Sequence, residues 1–282
     1  MADIVLQKPA PSPVRGGTPR HRRPGNAKGH GTRLISLATV AGLLLVWGLV
    51  SNLGLVSSLF LPTPQAVWAK LVTVATNGFA DATLLQHLAA SLGRVFAALA
   101  LALAVAIPVG IAIGTSRIVR GVLDPLIEFY RPIPPLAYLP LIVIWFGIGE
   151  VSKVLVIFLA IFAPIAIATA AGVRAVPQDR LRAARSLGAT RAQLLRHVIL
   201  PNALPEILTG VRIGLGVGWS TLVAAELVAA TSGLGFMIQS AAQFLVTDVV
   251  VLGILVIAVV AFLLEYLLRL LQRRLTPWHG RG

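Results

Sequence analysis

Hydrophobic residues in this chain do not alternate with polar ones. They run in blocks, separated by short polar links and one longer polar arm. The first block, LISLATVAGLLLVWGLVSNL over residues 34–53, carries no charge. A signal-peptide core is only about 7–15 residues long, so this block reads as an uncleaved membrane helix. RVFAALALALAVAIPVGIAIGT (94–115) is the second span; its Pro108 is tolerated in lipid where neighbours or local distortion re-satisfy the freed carbonyl. The fourth span is VLVIFLAIFAPIAIATAAGV (154–173), the fifth ILTGVRIGLGVGWSTLVAAELVAA (207–230), and the sixth covers about 249–269. Each approaches the ~20 residues a helix needs to cross a bilayer.

Two stretches break this rhythm. Residues 54–86 are less apolar and contain LPTPQAVWAKL, which reads as a loop with an amphipathic helix. The third apolar stretch, LDPLIEFYRPIPPLAYLPLIVIWFGIG (123–149), has Asp124, Glu128 and Arg131 at one end and five prolines. It predicts a short interfacial helix, a proline break and a span over about 135–148. Irregular backbone at membrane depth is tolerated only against protein or a water-filled path.

The resulting fold class is all-α and polytopic, with about six membrane helices. Residues 1–33, broken by Pro9, Pro11, Pro13, Pro19 and Pro24, are expected to form a disordered basic tail. The membrane domain is expected over 34–272, and a second tail over 273–282.

Composition agrees: 57% of the 282 residues are hydrophobic and 12% charged, against about a quarter charged in a soluble domain. With no cysteine in the sequence, a cysteine-based metal or redox site is excluded. The net charge of +14 does not point to nucleic acid, because the basic residues lie between and beyond the apolar blocks. Segments 1–33, 116–121, 174–204 and the tail from 269 hold nineteen of the 24 lysines and arginines. The positive-inside rule then places both termini and the polar arm in the cytoplasm.

Motifs for catalysis are missing from the sequence: there is no HExxH, no GxSxG and no GxxxxGK[ST] loop. No catalytic residue, metal site or cofactor is expected. Glycines carry more information. Gly210, Gly214 and Gly218 recur on one face of the fifth span, and Gly110 and Gly114 on the second, so both helices are expected to pack closely in a crowded centre. Arg212 and Glu226 are charges inside the fifth span. Arg212 reads as snorkelling near the cytoplasmic end; Glu226, near the other end, lines an aqueous cavity or sits at the outer interface.

The polar arm over residues 174–204 is the feature no bilayer requires. DRLRAARSLGATRAQLLRHVILPNALPEIL (179–208) reads as a short helix, a turn at Gly188 and a second amphipathic helix ending at Pro201. Pro201 and Pro205 are expected to set the re-entry into the fifth span. Such a helix either lies on lipid headgroups or seats in a groove of a cytoplasmic partner.

RAARSLGATRAQLLRHVILPNALP resembles the cytoplasmic signature of the membrane subunits of binding-protein-dependent ABC importers. Ala183, Ala184, Gly188, Pro201 and Pro205 stand at the signature positions, while Arg182 replaces the usual Glu. RPIPPLAYLPLIVIWFGIGE and AAELVAATSGLGFMIQSA resemble the nitrate/sulfonate/taurine branch, and GVGWSTLVAAELVAA with RRLTPWHG is most similar to taurine permeases.

The resemblance implies the type I importer permease fold with a cytoplasmic coupling helix, in a bacterial inner membrane. It implies a homodimer served by two ATP-binding subunits and a periplasmic solute-binding protein, importing taurine or a related small sulfonate. In that scheme the arm around Arg182, Gly188 and Leu195 meets the ATPase. Ser220, Thr221, Glu226, Gln239 and Gln243 are candidates for the translocation path. The alternatives are another alkanesulfonate or a nitrate-like anion as solute, or a secondary transporter or channel.

Overall fold

Cap chemistry decides where several of the helices begin. The computed structural model describes residues 29–277, so the tails expected at 1–33 and 273–282 lie largely outside the described residues. Helix α1 (Gly29–Asn52) starts ahead of the predicted Leu34. Of the described residues, those up to Val46 belong to one unit and those from Trp47 onward to another, which holds the remaining helices.

Helix α2 (Pro64–Thr76) starts where Thr63 accepts a hydrogen bond from the Ala66 amide, with Pro64 in the first turn. Helix α3 (Leu84–Thr115) starts ten residues before the predicted 94, because Thr83 and Gln86 form a capping box. The polar residues before Arg94 therefore belong to the same rod. Helix α4 (Arg117–Tyr130) and helix α5 (Pro135–Phe146) are the expected interfacial helix and its apolar successor, with the break at residues 131–134. Their axes differ by 101°. Twelve residues rise only about 18 Å, well short of the ~30 Å hydrocarbon core. The third apolar stretch is thus a bent pair of short helices, a broken span or a re-entrant loop, and not the single rod expected over 135–148.

Helix α6 (Glu150–Arg174) leads to the arm: helix α7 (Gln178–Ser186), a turn at Gly188, and helix α8 (Arg191–Gln193). Here the structure corrects the sequence reading. The second arm helix does not end at Pro201; it passes through a π-helical segment, Leu194–Ile199, straight into helix α9 (Leu200–Ala229). The wider turn, in which the Leu200 amide donates to the Leu195 carbonyl, lies just before Pro201. Such a bulge relieves the backbone crowding a proline creates in a regular helix. Helices α10 (Leu234–Gln243) and α11 (Thr247–Leu275) complete the chain, and α11 runs into the stretch expected to be tail. No strand occurs among the described residues; Phe79 and Ala82 form one isolated bridge.

Helix α6 is the centre. It lies against α3 on one side and α9 on the other along most of its length. Ile157, Ile161, Ile165 and Ala166 are fully buried there. The expected glycine faces meet this helix: a Cβ at Gly110 would stand 2.5 Å from Thr169 Cβ and 2.6 Å from the Ala166 carbonyl oxygen. One at Gly214 would lie 3.1 Å from the Ile161 carbonyl oxygen. A second, smaller core joins α2, α10 and α11 through Val67, Val74, Leu234, Met237, Val249 and Leu252.

Gly110→Ala is expected to destabilise the protein by about 1–3 kcal/mol through overpacking. Gly93→Ala, on the same helix with nothing within 4 Å of the added carbon, should be neutral or stabilising. Thermal unfolding in detergent compares the two; equal effects would show that close approach to α6 does not matter.

Candidate functional site

Three places in the fold gather polar chemistry. The first is the arm. No residue of helix α7 is buried, and Arg182 makes a loose ion pair with Asp179 at 3.8 Å, on the same face one turn away. Ala183 is exposed and Ala184 half-buried. The Ala184 carbonyl accepts from the Ala189 amide at 3.1 Å, closing the turn in which Gly188 has φ +80°. That value is in the left-handed region, where a side chain is strained. Thr190 then caps α8 in a capping box with Gln193; the T-x-x-Q spelling in the sequence carried that signal.

Leu187, beside the turn, is 89% exposed, an apolar side chain held out at the tip of a polar arm. Leu195 is half-buried on the inner side, and Pro205 is buried. Arg180 hydrogen-bonds Asn202 and so ties α7 to the start of α9. Arg117, Arg120, Arg174 and Arg185 line a cleft beneath the arm. Arg120 caps the end of α3 through the Ile113 and Gly114 carbonyls. No ion pair engages Arg117, Arg174 or Arg185 among the described residues.

The second place is a buried charge network at the other end of α6. Glu226 does not line an open cavity, one of the two places expected for it; its side chain is fully buried. Arg94, expected at the start of the second helix, is nearly three turns inside α3 and only 4% exposed. Its Nη1 donates to Glu226 Oε1 at 2.6 Å and to the Ser232 carbonyl at 2.7 Å. Its Nε and Nη2 grip the Glu150 carboxylate at 2.6 and 2.7 Å. Lys153 Nζ reaches Glu150 at 2.8 Å. Ser91 Oγ and the Gly235 amide, at 2.8 and 2.9 Å, complete the shell of Glu226.

Two cations and two carboxylates cancel, which is what burial demands of Arg94, Lys153 and Glu226; the Glu150 carboxylate itself is open to solvent. His87 joins the same cluster: its Nδ1 accepts from the Gly233 amide at 3.1 Å, leaving Nε2 to donate to the Phe79 carbonyl at 2.9 Å. The first amides of α10 are thereby held on α3 and α9. Reasoning from sequence missed this, although the signal was there. His87, Ser91 and Arg94 fall at i, i+4 and i+7, a polar stripe on an otherwise apolar helix.

The third place lies between α9 and α11. Arg212 and Glu265 approach to 3.8 Å, and Arg269 donates to Glu265 at 2.8 Å. Arg212 and Glu265, with Leu215, Gly216, Trp219, Ser220, Ala261 and Leu264, line a groove. Gly210 packs against Ala168 and Pro164, and Gly214 against Ile161, which sets Arg212 level with the middle of α6.

Of the remaining candidates, Ser220 is exposed on the face of α9 that also shows Ile213 and Val217, whereas Thr221 is buried and donates to the Val217 carbonyl. Gln239 is half-buried and Gln243 exposed on α10. The structure does not bring these four into one cluster with Glu226. No group of His, Asp or Glu suited to a metal occurs among the described residues.

Known proteins share both the sequence and the arrangement. Residues 106–277 match the family described as binding-protein-dependent transport system inner membrane component. The taurine transport system permease protein TauC of Escherichia coli K12 is 68% identical over 247 residues, covering 87% of this chain and 90% of that protein. An E. coli protein described as a putative aliphatic sulfonates transport permease, SsuC, is 40% identical over 84% of this chain and 89% of its own length. The chain is also similar in shape to the MetNI methionine ABC transporter in an inward-facing form, with TM-score 0.58, 22% identity, and coverage of 68% of this chain and 96% of that one. That likeness fixes the fold as the type I ABC importer permease arrangement.

Arg94→Met is expected to cost about 3–5 kcal/mol by leaving Glu226 buried without its cation. The double variant Arg94→Met with Glu226→Leu should recover part of that loss. Unfolding midpoints in detergent read the difference, and a double variant no better than the single would argue against charge burial as the cause.

Proposed function

The chain belongs to the binding-protein-dependent transport system inner membrane components, and from that membership we propose that it carries taurine, or a closely related small sulfonate, across the inner membrane. It is a multi-pass membrane component of an ABC importer, and ATP hydrolysis belongs to a separate subunit. The observation that carries the substrate is the likeness to the taurine permease along nearly the whole chain. An alkanesulfonate is the second reading, supported by the more distant likeness to the sulfonate permease.

The working unit in this proposal is two copies of the chain, two ATPase subunits and a periplasmic binding protein. Both termini and the arm lie in the cytoplasm, as the distribution of basic residues favours. The arm docks on the ATPase with Leu187 as its apolar anchor, and Gly188 holds the bend that presents it. Arg182, Ala183, Ala184 and Leu195 shape the two sides of that bend, and Pro201 and Pro205 mark the passage into α9. The open face of α9, with Ile213, Val217 and Ser220, supports a meeting with the second copy along the path. Gly110, Gly114, Gly210, Gly214 and Gly218 keep the helices behind that face closely packed. Thr221, Gln239 and Gln243 stay secondary path candidates, and the closed shell around Glu226 favours a fixed structural part for it.

Proteoliposomes holding this chain and its ATPase, with ATP inside and binding protein outside, are expected to accumulate radiolabelled taurine only when both are supplied. Entry of an alkanesulfonate but not taurine would change the solute and keep the class. Solute movement without ATP would overturn the mechanism.

Gly188→Val is expected to leave membrane insertion intact and to lower recovery of the ATPase on co-purification about tenfold, because φ +80° strains a branched residue. Full ATPase recovery with this variant would remove the arm from the docking surface.

A further inference from the structure

The charged group between α9 and α11 belongs to none of the hydrophobic cores and to no part of the arm. Arg212 and Glu265 have side chains 37% and 36% exposed, yet they stand level with the middle of α6. Charges inside a spanning helix are costly when they face hydrocarbon, so such groups face water or protein. Their mutual contact at 3.8 Å is loose beside the 2.6 Å contacts of the buried network.

Trp219 is 7% exposed, and its indole N–H has no hydrogen-bond partner among the described residues. A buried donor left unmet costs stability, and such exceptions call for a partner. Trp219 lines the same groove as the ion pair. Ser220, one residue on, is also in its wall, and its hydroxyl has only a long 3.3 Å bond to the Gly216 carbonyl of its own helix. The groove thus offers a guanidinium, an indole N–H and a hydroxyl as donors, and one carboxylate as acceptor. Arg269 gives the cluster a net charge of +1.

We infer that this groove is a solute-binding station inside the membrane for a small zwitterion bearing an oxyanion at one end and an ammonium at the other. The sulfonate oxygens accept from Arg212, from Trp219 Nε1–H and from Ser220. The ammonium donates to Glu265, taking the place of the loose Arg212 contact. A planar guanidinium is suited to an oxyanion, and opposite charges held apart in the wall match the two ends of a zwitterion. The inference rests on the taurine reading of the proposed function.

The test is equilibrium binding of radiolabelled taurine to the purified complex of this chain with its ATPase, without binding protein. Ethanesulfonate and ethylammonium serve as competitors that each keep one end. In the wild type, either competitor should bind at least about tenfold more weakly than taurine, as expected for the loss of one charge-assisted contact. Arg212→Gln should lower affinity for taurine about tenfold or more, and Trp219→Phe should do so more mildly, keeping the ring and losing only the donor. Glu265→Gln should make taurine and ethanesulfonate bind alike.

The charge swap Arg212→Glu with Glu265→Arg restores a merely structural pair but reverses the site, so it should not recover taurine binding. Recovery by the swap would overturn the inference, as would wild-type affinity in all single variants or no saturable binding to the wild type. Taurine import by the wild type, driven by ATP and binding protein, is measured alongside. Normal import in wild type and variants condemns the station alone, whereas import of other sulfonates but not taurine condemns the substrate reading.

Discussion

Close approach of two helix backbones to α6 is the constraint on which this structure depends. Between helices in lipid there is no hydrophobic drive, so association relies on contact between surfaces that fit. Gly110 and Gly114 bring α3 onto Thr169 and Val173, while Gly210, Gly214 and Gly218 bring α9 onto the opposite side, against Ala168, Pro164 and Ile161. Gly172 of α6 returns the contact, facing Ala203 and Glu206. A methyl group at most of these positions would meet backbone or the branched carbon of a neighbour, neither of which moves cheaply. The three helices therefore behave as one body, and the arm and the charge network sit at its two ends.

That arrangement gives the arm a mechanical meaning. From Arg191 the chain runs helically to the end of α9, with a π-helical segment in place of a hinge. A displacement applied at the proposed docking turn has no flexible joint in which to dissipate before it reaches the membrane. At the far end, Arg94 locks Glu226 of α9 to Glu150 of α6, and the amides at Gly233 and Gly235 are held on the same cluster. Burying Arg94, Lys153 and Glu226 is expensive, but once paired they are directional where glycine contacts are not. The glycine faces set how close the helices lie; the ion pairs set their register and pin α10 to them.

Much of this is legible in the chain and some is not, for identifiable reasons. Block length and charge placement mark the spans, and the arm is visible because a polar amphipathic stretch interrupts an apolar sequence. Helix starts shift where caps intervene: Thr83 with Gln86 moves α3 forward, and Thr190 with Gln193 starts α8. Pro201 spells a stop, since a proline usually ends a helix; the π-turn before it, which absorbs the crowding, has no spelling in the sequence. The glycine spacing names α3 and α9, but the helix they close on, α6, has few glycines and cannot be named by the same rule. The charge network is hidden differently. Arg94 and Glu226 are 132 positions apart, and only the fold says that they meet.

Arg212 shows how an error in one place propagates to another. Counting the fifth span from a re-entry at Pro205 puts Arg212 within a turn of the cytoplasm, where a long basic side chain needs no explanation. Once α8, the π-segment and α9 are a single helix, the boundary is set by packing and not by the proline. Gly210 and Gly214 then place Arg212 beside the middle of α6, and Glu265 of α11 stands across from it. A cation beside the middle of α6, half-open, loosely paired and next to an unmet indole N–H, has more to do than solvate the flank of a helix. The same residue changes from a solvated flank to a candidate solute contact because the helix continues through the proline that should have ended it.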